Sequence, residues 1–267
     1  MGRNVRIGLV AVGAVVLLLA LGFFIQVRWA TALWPVPAGP LSHIFVASIL
    51  AAIGAPAIWI ALADEGRALA AGAADLAVTN AGVALTGAWF FFTTGNVGML
   101  LLGIATALLC VLCVGIFRGW HGVPFRDARP TPTAVRIAFA VFALLLAITA
   151  AALIAVRPNT FPWPLGPENS VIYGFIFLGA MAYFLYGLAW PVWGNACDQL
   201  VGFLAYDIVL IVPFLRQFAA VKPEMRTSLT VYTAVVALSG LLALYFLLLH
   251  PATRFTARPA APRPRLP

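Results

Sequence analysis

The sequence predicts an all-α, polytopic integral membrane protein of about eight transmembrane helices, arranged as a duplicated, parallel 4+4 bundle. Three observations predict it. Hydrophobic residues make up 63% and charged residues 9% of the 267 positions, where soluble domains hold about 45–50% and about 25%. Eight apolar runs are long enough, or nearly so, to cross roughly 30 Å of hydrocarbon as helices of about 20 residues. The elbow Trp34-Pro35-Val36-Pro37-Ala38-Gly39-Pro40 returns as Phe161-Pro162-Trp163-Pro164-Leu165-Gly166-Pro167, each time ahead of a long apolar run. Proline fixes φ and carries no N–H, so such an elbow aims a helix while leaving fewer orphan donors.

The runs are 7–27, 41–63, 76–92, 97–117, 137–156, 170–190, 200–215 and 229–249. The first follows Arg3 and Arg6 and precedes Ala30-Thr31-Ala32, a signal-peptide pattern, but it is longer than the roughly 7–15 residues of a signal core. Arg6-Ile7 is echoed by Arg136-Ile137, and Val27-Arg28 by Val156-Arg157, so the run is read as a retained helix. The third and seventh runs are the shortest, and Asp75 and Asp198 stand where an N-cap would satisfy their orphan amides. Between counterparts (Arg6 with Arg136, Trp34 with Trp163, Gly39 with Gly166, Asp75 with Asp198) the separation only shrinks along the chain, as small loop deletions would make it do.

Two repeats follow, 1–130 and 131–250, with a disordered, basic, Pro-rich tail at 251–267. Four crossings per half is an even number, so the halves run parallel about an axis along the membrane normal. Ala47, Ala51 and Ala55 space the second helix as small-xxx-small, with Gly174 and Ala182 aligned on the sixth, which predicts that these two helices face each other closely. Placing both termini in the cytoplasm leaves only Arg28, Arg157, Arg216, Lys222 and Arg226 outside, the bias expected of a bacterial-type plasma-membrane protein.

The net charge of +8 does not indicate nucleic acid, because the arginines gather at the ends of apolar runs. Membrane lipid is the expected surrounding, with a small apolar or amphipathic ligand, a membrane-protein partner or a homo-oligomer as the partners that fit. Three cysteines make no disulfide framework, and Cys110 and Cys113 read as small packing residues. His43, His121 and His250 supply neither a metal cluster nor a pair of core haem ligands, so no metal and no cofactor are expected.

Asp207 is the acid deepest within an apolar run, nine residues and about 13 Å beyond Asp198 along a helix. An ionisable group there costs free energy and is a functional candidate, as proton carrier, general acid or substrate contact, or else a neutral structural carboxyl. Tyr206, Asn80, Thr79, Tyr183 and Tyr186 are expected to converge with it, or else to make interhelical hydrogen bonds. Glu168 with Asn169, and His43, are candidates at the outer face, where helix capping for the first two and an interfacial polar position for His43 are the plainer readings beside a substrate-entry or ligand role. Trp29, Trp34, Trp163, Trp190 and Trp193 are expected as interfacial anchors.

The Trp-Pro-x-Pro elbow ahead of a membrane helix resembles one found in uncharacterised multi-helix membrane proteins of bacteria. The resemblance covers Trp34 to Pro40 and Trp163 to Pro167 and implies no activity. Three functions fit: a small-molecule or lipid-handling transporter, proton-coupled through Asp207; a non-catalytic accessory or sensor subunit; and a membrane-embedded enzyme acting on an isoprenoid or other apolar substrate.

Overall fold

The computed structural model describes residues 1–255; the rest of the basic tail, 256–267, lies outside the described residues. Eight helices are each long and apolar enough to cross a membrane. They are α1 Arg3–Phe24, α2 Pro40–Ala63, α3 Leu69–Thr94, α4 Val97–Trp120, α5 Thr133–Ile154, α6 Pro167–Ala189, α7 Trp193–Gln217 and α8 Arg226–Leu244. A π-helical turn, Tyr245–Leu249, continues α8. Pro40 and Pro167 occupy the first turns of α2 and α6, where the missing N–H would have been an orphan anyway.

Two helix starts differ from expectation. A 3₁₀ turn, Gly66–Ala68, feeds α3, and Val192 precedes α7, so Asp75 and Asp198 lie inside their helices and cap nothing. The loop 127–131 does the capping for α7: Trp193 donates its backbone N–H to Arg129 O at 2.6 Å and Gly194 donates to Asp127 O at 3.0 Å.

Helices pair sequentially as α1 with α2, α3 with α4, α5 with α6 and α7 with α8, and across the chain as α3 with α6 and α2 with α7. Half of the apolar window of α2 and of α6 is buried, against 17% for α4 and 22% for α1. The molecule is therefore an inner square of α2, α3, α6 and α7 flanked by α1, α4, α5 and α8. Apolar side chains such as Leu85, Leu108, Val111, Leu144 and Leu238 remain exposed on its outside, the surface that hydrocarbon would cover.

The expected close contact between α2 and α6 does not form. They lie on a diagonal of the square and meet through rings, Phe45 with Tyr173 at 4.6 Å and with Phe177 at 5.8 Å. Small residues work elsewhere. A Cβ on Gly13 would stand 2.8 Å from Gly54 O, and one on Gly87 2.8 Å from Gly103 Cα, so α1/α2 and α3/α4 approach backbone to backbone.

The elbows reach across to the opposite half. Trp34 donates its indole N–H to Asn169 Oδ1 at 2.9 Å, at the start of α6, and Trp163 donates to Ser42 Oγ at 3.0 Å, at the start of α2. Asn169 also donates to Pro37 O at 2.7 Å. Trp163 and Trp193 are thus buried structural donors or core residues and not interfacial anchors, whereas Trp29 is exposed. At the other end, Ala252 O accepts from Arg129 at 2.6 Å and Thr253 donates to Phe246 O at 2.8 Å, which folds residues 251–255 back beside the loop at 127–131. Met1, held by Asp64 at 2.7 Å, lies on this same face.

Candidate functional site

The polar residues inside the bundle form two separate groups and a surface latch. The first group is on the seam between α7 and α8. Asp207 is 4% exposed; its Oδ1 accepts from Ser239 Oγ at 3.0 Å, and its Oδ2 has no hydrogen-bond partner among the described residues. Gly240 keeps the space beside that oxygen open, since an added Cβ would stand 3.4 Å from it. One hydroxyl does not balance a carboxylate in hydrocarbon, so the group demands a proton or a ligand.

The second group runs along one face of α6 at positions 179, 183 and 187, one helical turn apart. Gly179 makes room for the Asp75 carboxyl and Thr79 of α3. Thr79 donates to Asp75 Oδ1 at 3.2 Å and approaches Phe175 O at 3.4 Å. One turn on, the Tyr183 hydroxyl donates to Asp198 Oδ2 in a short bond. A further turn on, Gly187 makes room for Gln199, which donates to Tyr183 O at 2.8 Å. Asn195 closes the series by donating to Trp190 O at 3.0 Å.

Of the residues expected to converge, the structure joins few. Thr79 and Tyr183 belong to the α6 stripe, without Asp207. Tyr206, beside Asp207 in sequence, turns its ring toward Phe45 at 6.3 Å. Asn80 donates to Leu76 O of its own helix at 2.7 Å. Tyr186 meets His121 Nδ1 at 3.3 Å at the Met1 face. His43 lies half-buried near Phe23, ring centroids 6.1 Å apart. Glu168 stands in the first turn of α6 but makes no capping bond, and Asn169 bridges to the first elbow instead of capping.

Sequence reasoning reads Asp75 and Asp198 only as caps and passes over Asn195 and Gln199. The signal was present as Asn195-Ala196-Cys197-Asp198-Gln199, whose i, i+3, i+4 spacing puts three polar side chains on one side of a helix. On the elbow side, the polar stripe along α6 gives way to a buried cluster of rings including Phe45, Phe161, Trp163, Tyr173 and Phe177.

No family model, no curated protein and no solved structure matches this chain. Its function rests on these residues alone.

The latch covers the Met1 face. Glu65, 2% exposed, accepts from the backbone N–H of Arg126 at 2.9 Å and of Asp127 at 2.8 Å. Burial raises its carboxyl above the ordinary value of 4.5, and these two amide bonds pull it down. Arg67 donates to Val123 O at 3.0 Å and lies 4.6 Å over the Phe125 ring. Among the described residues no group of three His, Cys, Asp or Glu is placed to hold a metal ion, and Cys110, Cys113 and Cys197 are free.

Proposed function

We propose that the protein is a small-molecule or lipid-handling transporter of a bacterial-type plasma membrane, proton-coupled through Asp207. The observation that carries this reading is the Asp207 carboxyl itself, buried among apolar helices with one oxygen held by Ser239 and the other unpartnered. Such a group gains and loses a proton at a free-energy cost that a moving α7/α8 seam can modulate. Pro213 within α7 removes a backbone hydrogen bond one to two turns from Asp207 and gives that helix a place to bend.

A duplicated origin of the two halves supports a rocking mechanism. In its favour, each pairing of neighbouring long helices in the first half has a counterpart in the second, and α3/α6 exchanges with α2/α7 under the same correspondence. The arginines at the Met1 face, Arg3, Arg6, Arg67, Arg118, Arg126, Arg129 and Arg136, support placing that face in the cytoplasm.

The test is proton flux in vesicles reconstituted with the protein and a pH-sensitive dye, screened against amphipathic and lipidic solutes under an imposed potential. A solute that drives proton movement with the wild type and not with Asp207→Asn supports the reading. Equal flux in Asp207→Asn, or no proton movement with any solute class, overturns it.

A further inference from the structure

Three side chains on the first two turns of α7 are almost wholly removed from solvent: Asn195 and Gln199 at 0% and Asp198 at 1% exposed. Each spends its other polar atom on α6. Asn195 Nδ2 is held by Trp190 O, Gln199 Nε2 by Tyr183 O, and Asp198 Oδ2 by the Tyr183 hydroxyl. The atoms left over are all acceptors: Asn195 Oδ1, Asp198 Oδ1 and Gln199 Oε1 have no partner among the described residues. Turning either amide over only exchanges an orphan acceptor for a broken donor bond to α6. An apolar core does not tolerate three bare oxygens without compensation.

We propose that Asn195, Asp198 and Gln199, with the Tyr183 hydroxyl oxygen, form a binding site for one dehydrated monovalent cation of the sodium class. The argument is one of chemistry and charge. Hard cations take oxygen ligands, carboxylate and amide carbonyl alike. A single proton on Asp198 Oδ1 makes that atom a donor for one of the two amide oxygens and leaves the other bare, whereas a cation can take all three oxygens as ligands. The single carboxylate balances one positive charge and leaves a divalent ion half-neutralised.

The surroundings agree. The charged group whose field reaches Asp198 from a neighbouring element is Glu65, an acid, from the α2–α3 turn; Tyr183 faces it from α6, and Cys197 adjoins it on α7. Arg129, on the loop above, is paired with Asp127 at 2.5 Å. The positive end of α7 is spent on the loop carbonyls of Asp127 and Arg129. The carbonyl end of α6, whose partial charge is negative, lies alongside. A Cβ on Gly194 would stand 2.5 Å from Glu65 Oε2 and 3.0 Å from Asp127 O, so the start of α7 packs directly against the Glu65 carboxyl at the Met1 face.

The site is independent of Asp207, and its test reads binding, not transport. Protein in lipid nanodiscs at pH 8 is titrated with NaCl against choline chloride at constant ionic strength, following Tm. The wild type and Asp207→Asn should show a saturable rise of about 4 °C or more with Na⁺. Asp198→Asn, which preserves shape, should weaken the half-saturating concentration at least tenfold. Equilibrium dialysis of radioactive sodium on the same folded samples should give one ion per wild-type chain and none for Asp198→Asn. A Tm that responds to pH but not to Na⁺ overturns the proposal in favour of a proton, and an equal Na⁺ response in Asp198→Asn overturns it in favour of nonspecific salt.

Discussion

At the scale of single residues, the buried carboxyls divide by what satisfies them. Glu65 has both oxygens occupied by backbone amides, so it acts as a staple between the α2–α3 turn and the loop that joins the two halves. Glu65→Gln keeps the size but presents an amide N–H to an amide N–H, and should cost about 1–3 kcal/mol. Limited trypsin digestion should then cut faster after Arg126. The pH dependence has a definite sign. Because burial raises the folded carboxyl above 4.5, the folded state holds the proton more tightly than the unfolded chain. This contribution to stability therefore grows as pH falls through the raised folded value toward 4.5. The Tm advantage of wild type over Glu65→Gln should widen as pH falls toward 4.5; a constant or shrinking gap would refute the assignment. The indole bonds are also single-residue devices. Trp163→Phe strips Ser42 Oγ of its donor, and Trp34→Phe does the same to Asn169 Oδ1; each should lower stability by about 1 kcal/mol in thermal melts.

At the scale of elements, what the sequence makes legible is what local chemistry decides. The elbows could be read because proline acts on its own backbone, and α2 and α6 begin at Pro40 and Pro167 accordingly. Run lengths gave eight helices because hydrocarbon thickness is a one-dimensional constraint. Asp75 and Asp198 were misread because a carboxyl near the edge of an apolar run looks like a cap, and only tertiary contact reveals that α3 starts from Gly66–Ala68 and that α7 is capped by residues 127–131. The partners of Asp207 and Asp198, Ser239 and Tyr183, lie on other helices, and no spacing rule joins them. The glycines carry the same lesson, since composition cannot say which of them touches a backbone. Gly87 sits against Met99 O and Gly103, while Gly115 has nothing near it. Gly87→Leu should destabilise by about 1–3 kcal/mol through forced separation of α3 and α4, and Gly115→Leu should stay within about 0.5 kcal/mol. Thermal unfolding in detergent of the two variants distinguishes a contact glycine from a lipid-facing one.

At the scale of the whole molecule, an inner square with α2 and α6 on a diagonal makes a different claim from a bundle in which they touch. In the square, the halves meet along two seams, α3 with α6 and α2 with α7, and each elbow locks the other half at the far end. The interface between halves is thus tied by indole hydrogen bonds at the elbow face and, at the Met1 face, by the bonds of Trp193 and Gly194 to the loop that Glu65 staples in place. Between these ties lies the α6 stripe, where polar groups from α3 and α7 meet one helix face. Any rearrangement that opens a path must break one tied end while the other acts as the pivot, because both cannot release without separating the halves. Cysteine pairs test this geometry directly, in a background with Cys110, Cys113 and Cys197 replaced by Ala. Thr79→Cys with Phe175→Cys reports the α3/α6 seam, where Thr79 Oγ1 lies 3.4 Å from Phe175 O. Ala52→Cys with Gly202→Cys reports the α2/α7 seam, where a Cβ on Gly202 would lie 3.3 Å from Ala52 O. Both pairs should oxidise to intramolecular disulfides in membranes, visible as a mobility shift reversed by reductant. Ala51→Cys with Leu178→Cys should not, because a diagonal separates their helices. Crosslinking of that third pair in preference to the first two would replace the square with a direct α2/α6 contact. It would also remove the stripe on which the cation site is built, since α6 cannot turn that face to α3 and α7 while packing against α2.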